Sequence, residues 1–283
     1  MATDTGTEPG TEPPPPAPPA RHGVLSAGRA AIPARHLRTD RWWLQPLLTA
    51  LGLTAFVVYS TWRAFAGAHY YAEPYVSPFY SPCLASNCVD MPLGARWPIF
   101  GGWWGLSPAL LVLIFPLGFR LTCYYYRKAY YRGFWASPPA CAVAEPHAGY
   151  TGETRFPLIL QNIHRYFFYF AIPVAAILSY DVVLAFRDGR GAWGHMGLGT
   201  LVLLVNIALI WAYTFSCHSC RHIVGGRLKH FSRHPVRYRA WTWVGRLNRH
   251  HMGLAWASLI SVAVSDFYVY LVASGAFDDP RFF

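Results

Sequence analysis

Phe215-Ser216-Cys217-His218-Ser219-Cys220-Arg221-His222 sets two thiols and two imidazoles side by side, where a long apolar run gives way to a strongly basic segment. Cys217 and Cys220 are three residues apart, so on a helix their thiols share a face, and His218 and His222, four apart, share another. Thiolate and imidazole together suit a zinc ion or an iron–sulfur centre. Cys123, Cys141, His164 and the adjacent His250 and His251 extend the set of candidate ligands.

Three chemistries compete for these residues. Haem b needs two imidazoles facing each other from neighbouring helices, which His164 with His250 or His251 supplies, but it leaves four thiols without a role. Structural zinc uses Cys217 and Cys220 with His ligands. A [2Fe–2S] centre with two Cys on one iron and two His on the other uses both residue types, and the mixed ligation raises its potential. The spacing is not that of the two Cys-and-His loops of a soluble Rieske domain, so the residues alone leave all three open.

The elements that must position these side chains are membrane helices. The chain of 283 residues is 54% hydrophobic and 17% aromatic, with only 13% charged, whereas soluble domains run near a quarter charged. A net charge of +11 raises nucleic acid as a partner. The Lys and Arg residues lie between apolar runs and not along one soluble face, which excludes it. Six cysteines in a chain of this length do not make a disulfide scaffold.

Residues 1–41, with Pro13-Pro14-Pro15-Pro16, have almost nothing bulky to bury and read as a disordered tail, not a signal peptide. Residues 42–283 read as an all-α bundle of five transmembrane helices: Trp43 to Phe65, Ile99 to Phe119 with a kink at Pro116, Pro157 to Phe186, Gly194 to Phe215, and Met252 to Gly275. Each is long enough to cross ~30 Å of hydrocarbon. Basic residues concentrate before the first span, between the second and third, and between the fourth and fifth. The positive-inside rule then places the amino terminus in the cytoplasm and the carboxyl terminus outside a plasma (inner) membrane.

That topology sorts the cysteines. Cys83 and Cys88 fall in the outer loop, where a disulfide persists. Cys123, Cys141, Cys217 and Cys220 fall on the reducing side, at the depth of His164 and His251. A single Cys or His there is most simply packed or interfacial, but a His within a span is costly unless paired or ligating. The belt from Tyr124 to Arg132 suits membrane anchoring in contact with lipid, or the wall of a quinone pocket in which Tyr124 and Arg165 meet a carbonyl. Asp181 and Asp266 suit hydrogen bonds between helices or a proton path, and Asn206 suits polar contact between helices.

Cys123-Tyr-Tyr-Tyr-Arg-Lys-Ala-Tyr-Tyr-Arg132, Ser137-Pro-Pro-Ala-Cys-Ala-Val143, Gln161-Asn-Ile-His-Arg-Tyr166 and Ser216-Cys-His-Ser-Cys-Arg-His222 together resemble the single-subunit, five-helix membrane anchor of actinobacterial-type succinate dehydrogenases. The resemblance runs from the first span to the fifth. It implies flavoprotein and iron–sulfur partner subunits on the cytoplasmic side, with succinate oxidised in a partner and not in this chain. It also implies electron relay to a membrane quinone, and a Rieske-type [2Fe–2S] cluster held by two Cys and two His. On this sequence the imidazoles would be His164 and His251, with His250 as the alternate, and the thiols either Cys217/Cys220 or Cys123/Cys141.

Overall fold

The computed structural model describes residues 38–86, 88, 96–100, 103–143, 146, 155–188, 191–226 and 228–283. The expected disordered tail lies outside the described residues over positions 1–37. Eight α-helices are present among the described residues: α1 Leu44–Ala66, α2 Ala109–Thr122, α3 Tyr124–Phe134, α4 Ile159–Leu184, α5 Leu198–Phe215, α6 His218–Gly225, α7 Pro235–Arg249 and α8 His251–Ala273. Helices α1, α4, α5 and α8 are each long and apolar enough to cross a membrane. The pair α2 and α3 passes the same test jointly but is bent by 73°. The described chain therefore has four candidate spans, or five if the bent pair counts as one.

The second span departs from expectation. Its helix begins at Ala109, since Arg96–Phe100 is a strand, and Pro116 lies inside a continuous helix. Fourteen residues of helix reach only about 21 Å at 1.5 Å per residue. The sharp break falls at Cys123, whose φ of −59° and ψ of 132° leave the helical region. Gly118 permits the close packing of α2 on α4, because a Cβ there would meet the Phe167 ring at 2.2 Å.

The architecture is also not purely helical. Between α1 and α2 the chain forms β1 Tyr71–Ala72 antiparallel to β2 Tyr75–Val76, and β3 Cys83–Ala85 parallel to β4 Arg96–Phe100. Cys83 and Cys88 are joined as a disulfide, with Cα atoms 6.5 Å apart. Strand pairing satisfies backbone groups where this segment is packed away from water: Tyr80, Cys83 and Ala85 are fully buried with Tyr70 and Phe79.

Side-chain hydroxyls then fasten this cap to the helices. Ser77 donates to Asp266 and Ser81 to Asp181. Asp266 also accepts from Tyr59 at 2.6 Å and pairs with Arg63 at 2.7 Å, both charged side chains being wholly buried. A buried charge is tolerable only with such partners. Ser261 on α8 donates to Asn206 on α5 at 3.2 Å.

Candidate metal centre

At the opposite end of the bundle, four helix junctions meet. Cys123 is the break between α2 and α3, and Cys217 is the break between α5 and α6. His164 lies in the second turn of α4, and His251 is the first residue of α8. All four side chains are at most 7% exposed. Nε2 of His164 lies 3.0 Å from the Cys217 sulfur, and Nε2 of His251 lies 3.3 Å from the Cys123 sulfur.

The two breaks have the same local form. Phe119-Arg-Leu-Thr-Cys123 and Tyr213-Thr-Phe-Ser-Cys217 share an aromatic, two residues of any type, a hydroxyl and a cysteine. In each, the cysteine N–H donates to the carbonyl three residues back, at 3.2 and 3.3 Å, and the cysteine caps the short helix that follows. The Cys217 sulfur accepts from the Ser219 N–H at 3.4 Å. The motif aromatics stack on the imidazoles: Phe119 on His164 at 5.0 Å and 2°, Tyr213 on His251 at 5.2 Å and 13°. The hydroxyls of Thr122 and Ser216 contact Nδ1 of His164 and His251 at 2.9 and 2.6 Å. Each motif thus holds one imidazole with its ring and hydroxyl, and offers its thiol to the other imidazole.

The remaining candidates sit elsewhere. Cys141 is free and exposed, and its carbonyl accepts from Arg38 at 3.2 Å. Cys220 is buried in the same core as Cys123 and Cys217 but is not among the thiols that contact an imidazole. The thiols that do so come one from each pair singled out in the sequence. His250 is exposed. His218 stands edge-on to His251 at 6.4 Å.

The surroundings are cationic. Arg120 places its guanidinium 4.7 Å over the Tyr213 ring and donates to Tyr126 at 2.8 Å. Burial, with Cys123 adding to it, pushes the Cys217 thiol up to about 12. Burial likewise raises Cys220, and burial with Arg221 lowers His218. The Tyr213 hydroxyl is buried with no hydrogen-bond partner among the described residues.

By type, the residues present are the donors of a mixed Cys and His centre. Among the described residues, no group of three or more His, Cys, Asp or Glu surrounds a single ion position. The donors instead meet as two contacts, each of one thiol with one imidazole, and the set as a whole, two thiols and two imidazoles, has the composition of a mixed-ligand [2Fe–2S] centre. The unpartnered Tyr213 hydroxyl supplies a donor beside them. Hydroxyl partners on Nδ1 are the kind of outer contact that orients ligating histidines.

A pocket of about 630 Å³ opens beside His164, lined by Tyr124, Arg127, Gln161, Arg165 and Arg221 among others. It brings together Tyr124 and Arg165, the two residues expected at a quinone. Among the described residues the Nε atoms of Arg127 and Arg221 are buried without hydrogen-bond partners, while Arg165 contacts Nδ1 of His222 at 3.2 Å. Sequence reasoning passed over Thr122, Ser216, Phe119 and Tyr213. The repeated aromatic-x-x-hydroxyl-Cys pattern was the signal that marked them.

The family described as actinobacterial succinate dehydrogenase subunit SdhC matches residues 44–275. Among solved structures, a chain of the Mycobacterium smegmatis Sdh1 complex in the apo form is similar at 56% identity, over 92% of this chain and 99% of that one, with a TM-score of 0.81. No curated protein matches.

Proposed function

This chain belongs to the actinobacterial succinate dehydrogenase SdhC family, and from that premise we propose that it relays electrons from an iron–sulfur partner subunit to a membrane quinone. Succinate is oxidised on a flavoprotein partner. The amino terminus is cytoplasmic and the carboxyl terminus outside, so the Cys and His junctions face the partner subunits and the disulfide faces away from them. Residues 42–283 form the anchor domain.

Cys123, Cys217, His164 and His251 would hold a [2Fe–2S] centre, which supplies one-electron transfer. The observation that carries this reading is the pairing of each buried Nε2 with a buried thiol across helix junctions. Haem b would require both Nε2 atoms to turn from the thiols they contact. The chain's own residues do the rest: stacked rings and burial exclude water, and the arginines of the adjacent pocket present donors to a quinone carbonyl. The cationic pocket favours uptake of electrons by the quinone, because developing negative charge on its oxygens is stabilised there.

Electron paramagnetic resonance on the reduced, purified complex, with iron and haem assays, tests the reading. A rhombic signal of low average g without haem supports it, and a low-spin haem signal, or zinc with no iron beyond that of the partner subunit, overturns it. His164→Ala and His251→Ala are each expected to abolish quinone reduction while succinate oxidation with a soluble acceptor persists.

A further inference from the structure

The two hydroxyls beside the imidazoles have only one arrangement of protons that satisfies every contact. Thr122 Oγ1 lies 2.7 Å from the Gly118 carbonyl and 2.9 Å from Nδ1 of His164. A carbonyl cannot donate, so the single Thr122 proton goes to Gly118, and the second contact must be one in which Thr122 accepts. Ser216 repeats the pattern: its Oγ lies 2.7 Å from the Tyr213 carbonyl and 2.6 Å from Nδ1 of His251.

We infer that Thr122 and Ser216 are positioning residues that hold His164 and His251 in the tautomer protonated at Nδ1, which leaves Nε2 bare toward Cys217 and Cys123. This rests on the reading of those four residues as ligands. Hydroxyls in membrane helices often bond back to a carbonyl one turn earlier, and that alone would be a structural habit. Here both oxygens use their remaining acceptor capacity on an imidazole. Both are at most 5% exposed, so water does not compete for the contact. The stacked Phe119 and Tyr213 rings resist the ring flip that would present Nδ1 instead. The same five-residue device at two helix breaks acts on two imidazoles, so the tautomer is specified twice.

The test uses the full complex with histidine labelled with ¹⁵N at Nε2 alone or Nδ1 alone, read by pulsed electron paramagnetic resonance, together with iron content and midpoint potential. The parent is expected to show two strongly coupled nitrogens, both from the Nε2 label. Thr122→Val and Ser216→Val are each expected to lose the strong Nε2 coupling of one imidazole or the centre itself, with Thr122→Ser and Ser216→Thr restoring both. Two things would overturn the inference while leaving the ligands intact: valine variants that keep both couplings and the parental potential, or conservative variants that fail as the valine variants do. A parent complex without histidine-coupled iron would overturn the ligand reading and this inference with it.

Discussion

The Cys123 sulfur lies 3.3 Å from Nε2 of His251, although 128 residues of chain separate them. Cys217 stands in the same relation to His164 at 3.0 Å across 53 residues. These contacts select one thiol from each of the two pairs evident in the sequence. Cys123→Ser and Cys217→Ser are therefore expected to remove the histidine-coupled signal and the iron of that centre, leaving the partner subunit's iron in place, whereas Cys141→Ser and Cys220→Ser leave both. Iron analysis of the four purified complexes checks this, and loss of iron in the Cys141 variant would refute the assignment.

The buried Tyr213 hydroxyl has no hydrogen-bond partner among the described residues. Such a group costs about 1–3 kcal/mol when left unmade, so Tyr213→Phe is not expected to destabilise the fold. If the hydroxyl donates to a sulfur of the centre, it favours the reduced form, and its removal lowers the midpoint potential at unchanged iron content. Redox titration of the variant decides the matter: an unchanged potential means the hydroxyl does not reach the centre.

Arg127 lines the pocket beside His164, and its Nε is buried with no hydrogen-bond partner among the described residues. A hydrogen bond from a charged donor contributes about 1.5–3 kcal/mol, and 1.4 kcal/mol is a factor of ten. Arg127→Gln should raise the KM for quinone by about tenfold or more on that scale. Turnover with succinate and a soluble dye should stay as in the parent. Equal loss in both assays would point to disturbed assembly and not to the pocket.

Asp266→Asn leaves the Arg63 guanidinium buried without its counter-charge. Breaking one side of such a pair costs about 3–5 kcal/mol. Thermal unfolding of the solubilised complex should show a marked drop, and Arg63→Met combined with Asp266→Leu should recover part of it. A small effect in the single variant would mean that water reaches the pair.

Cys83→Ser opens a loop of only five residues, for which chain-entropy arguments give about 2 kcal/mol. The unfolding temperature should fall modestly while iron content and electron transfer persist. Loss of the iron signal would place the disulfide and the metal-capable residues on the same face, against the proposed orientation.

Much of this protein is legible in one dimension. Apolar runs mark the spans because hydrocarbon tolerates only backbone whose polar groups are satisfied internally. Counting along those runs puts His164, His251, Cys123 and Cys217 near the ends of apolar stretches. Spacing within one segment says which side chains share a face, and so Cys217 and Cys220 stood out as a pair.

Tertiary structure decided the rest. Whether Cys123 meets Cys141 or His251 depends on how the ends of helices from distant segments converge, and no spacing within a segment encodes that. The break fell at Cys123, where the backbone turns to cap α3, and not at Pro116, whose missing N–H the continuous helix accommodates. The segment between α1 and α2 gained strands because its backbone is packed away from water and must pair. Thr122 and Ser216 matter only through the imidazoles that packing brings to them. The sequence by itself determined which stretches are apolar enough to span a membrane and which Cys and His residues flank them; only the packed junctions determined which of those residues touch.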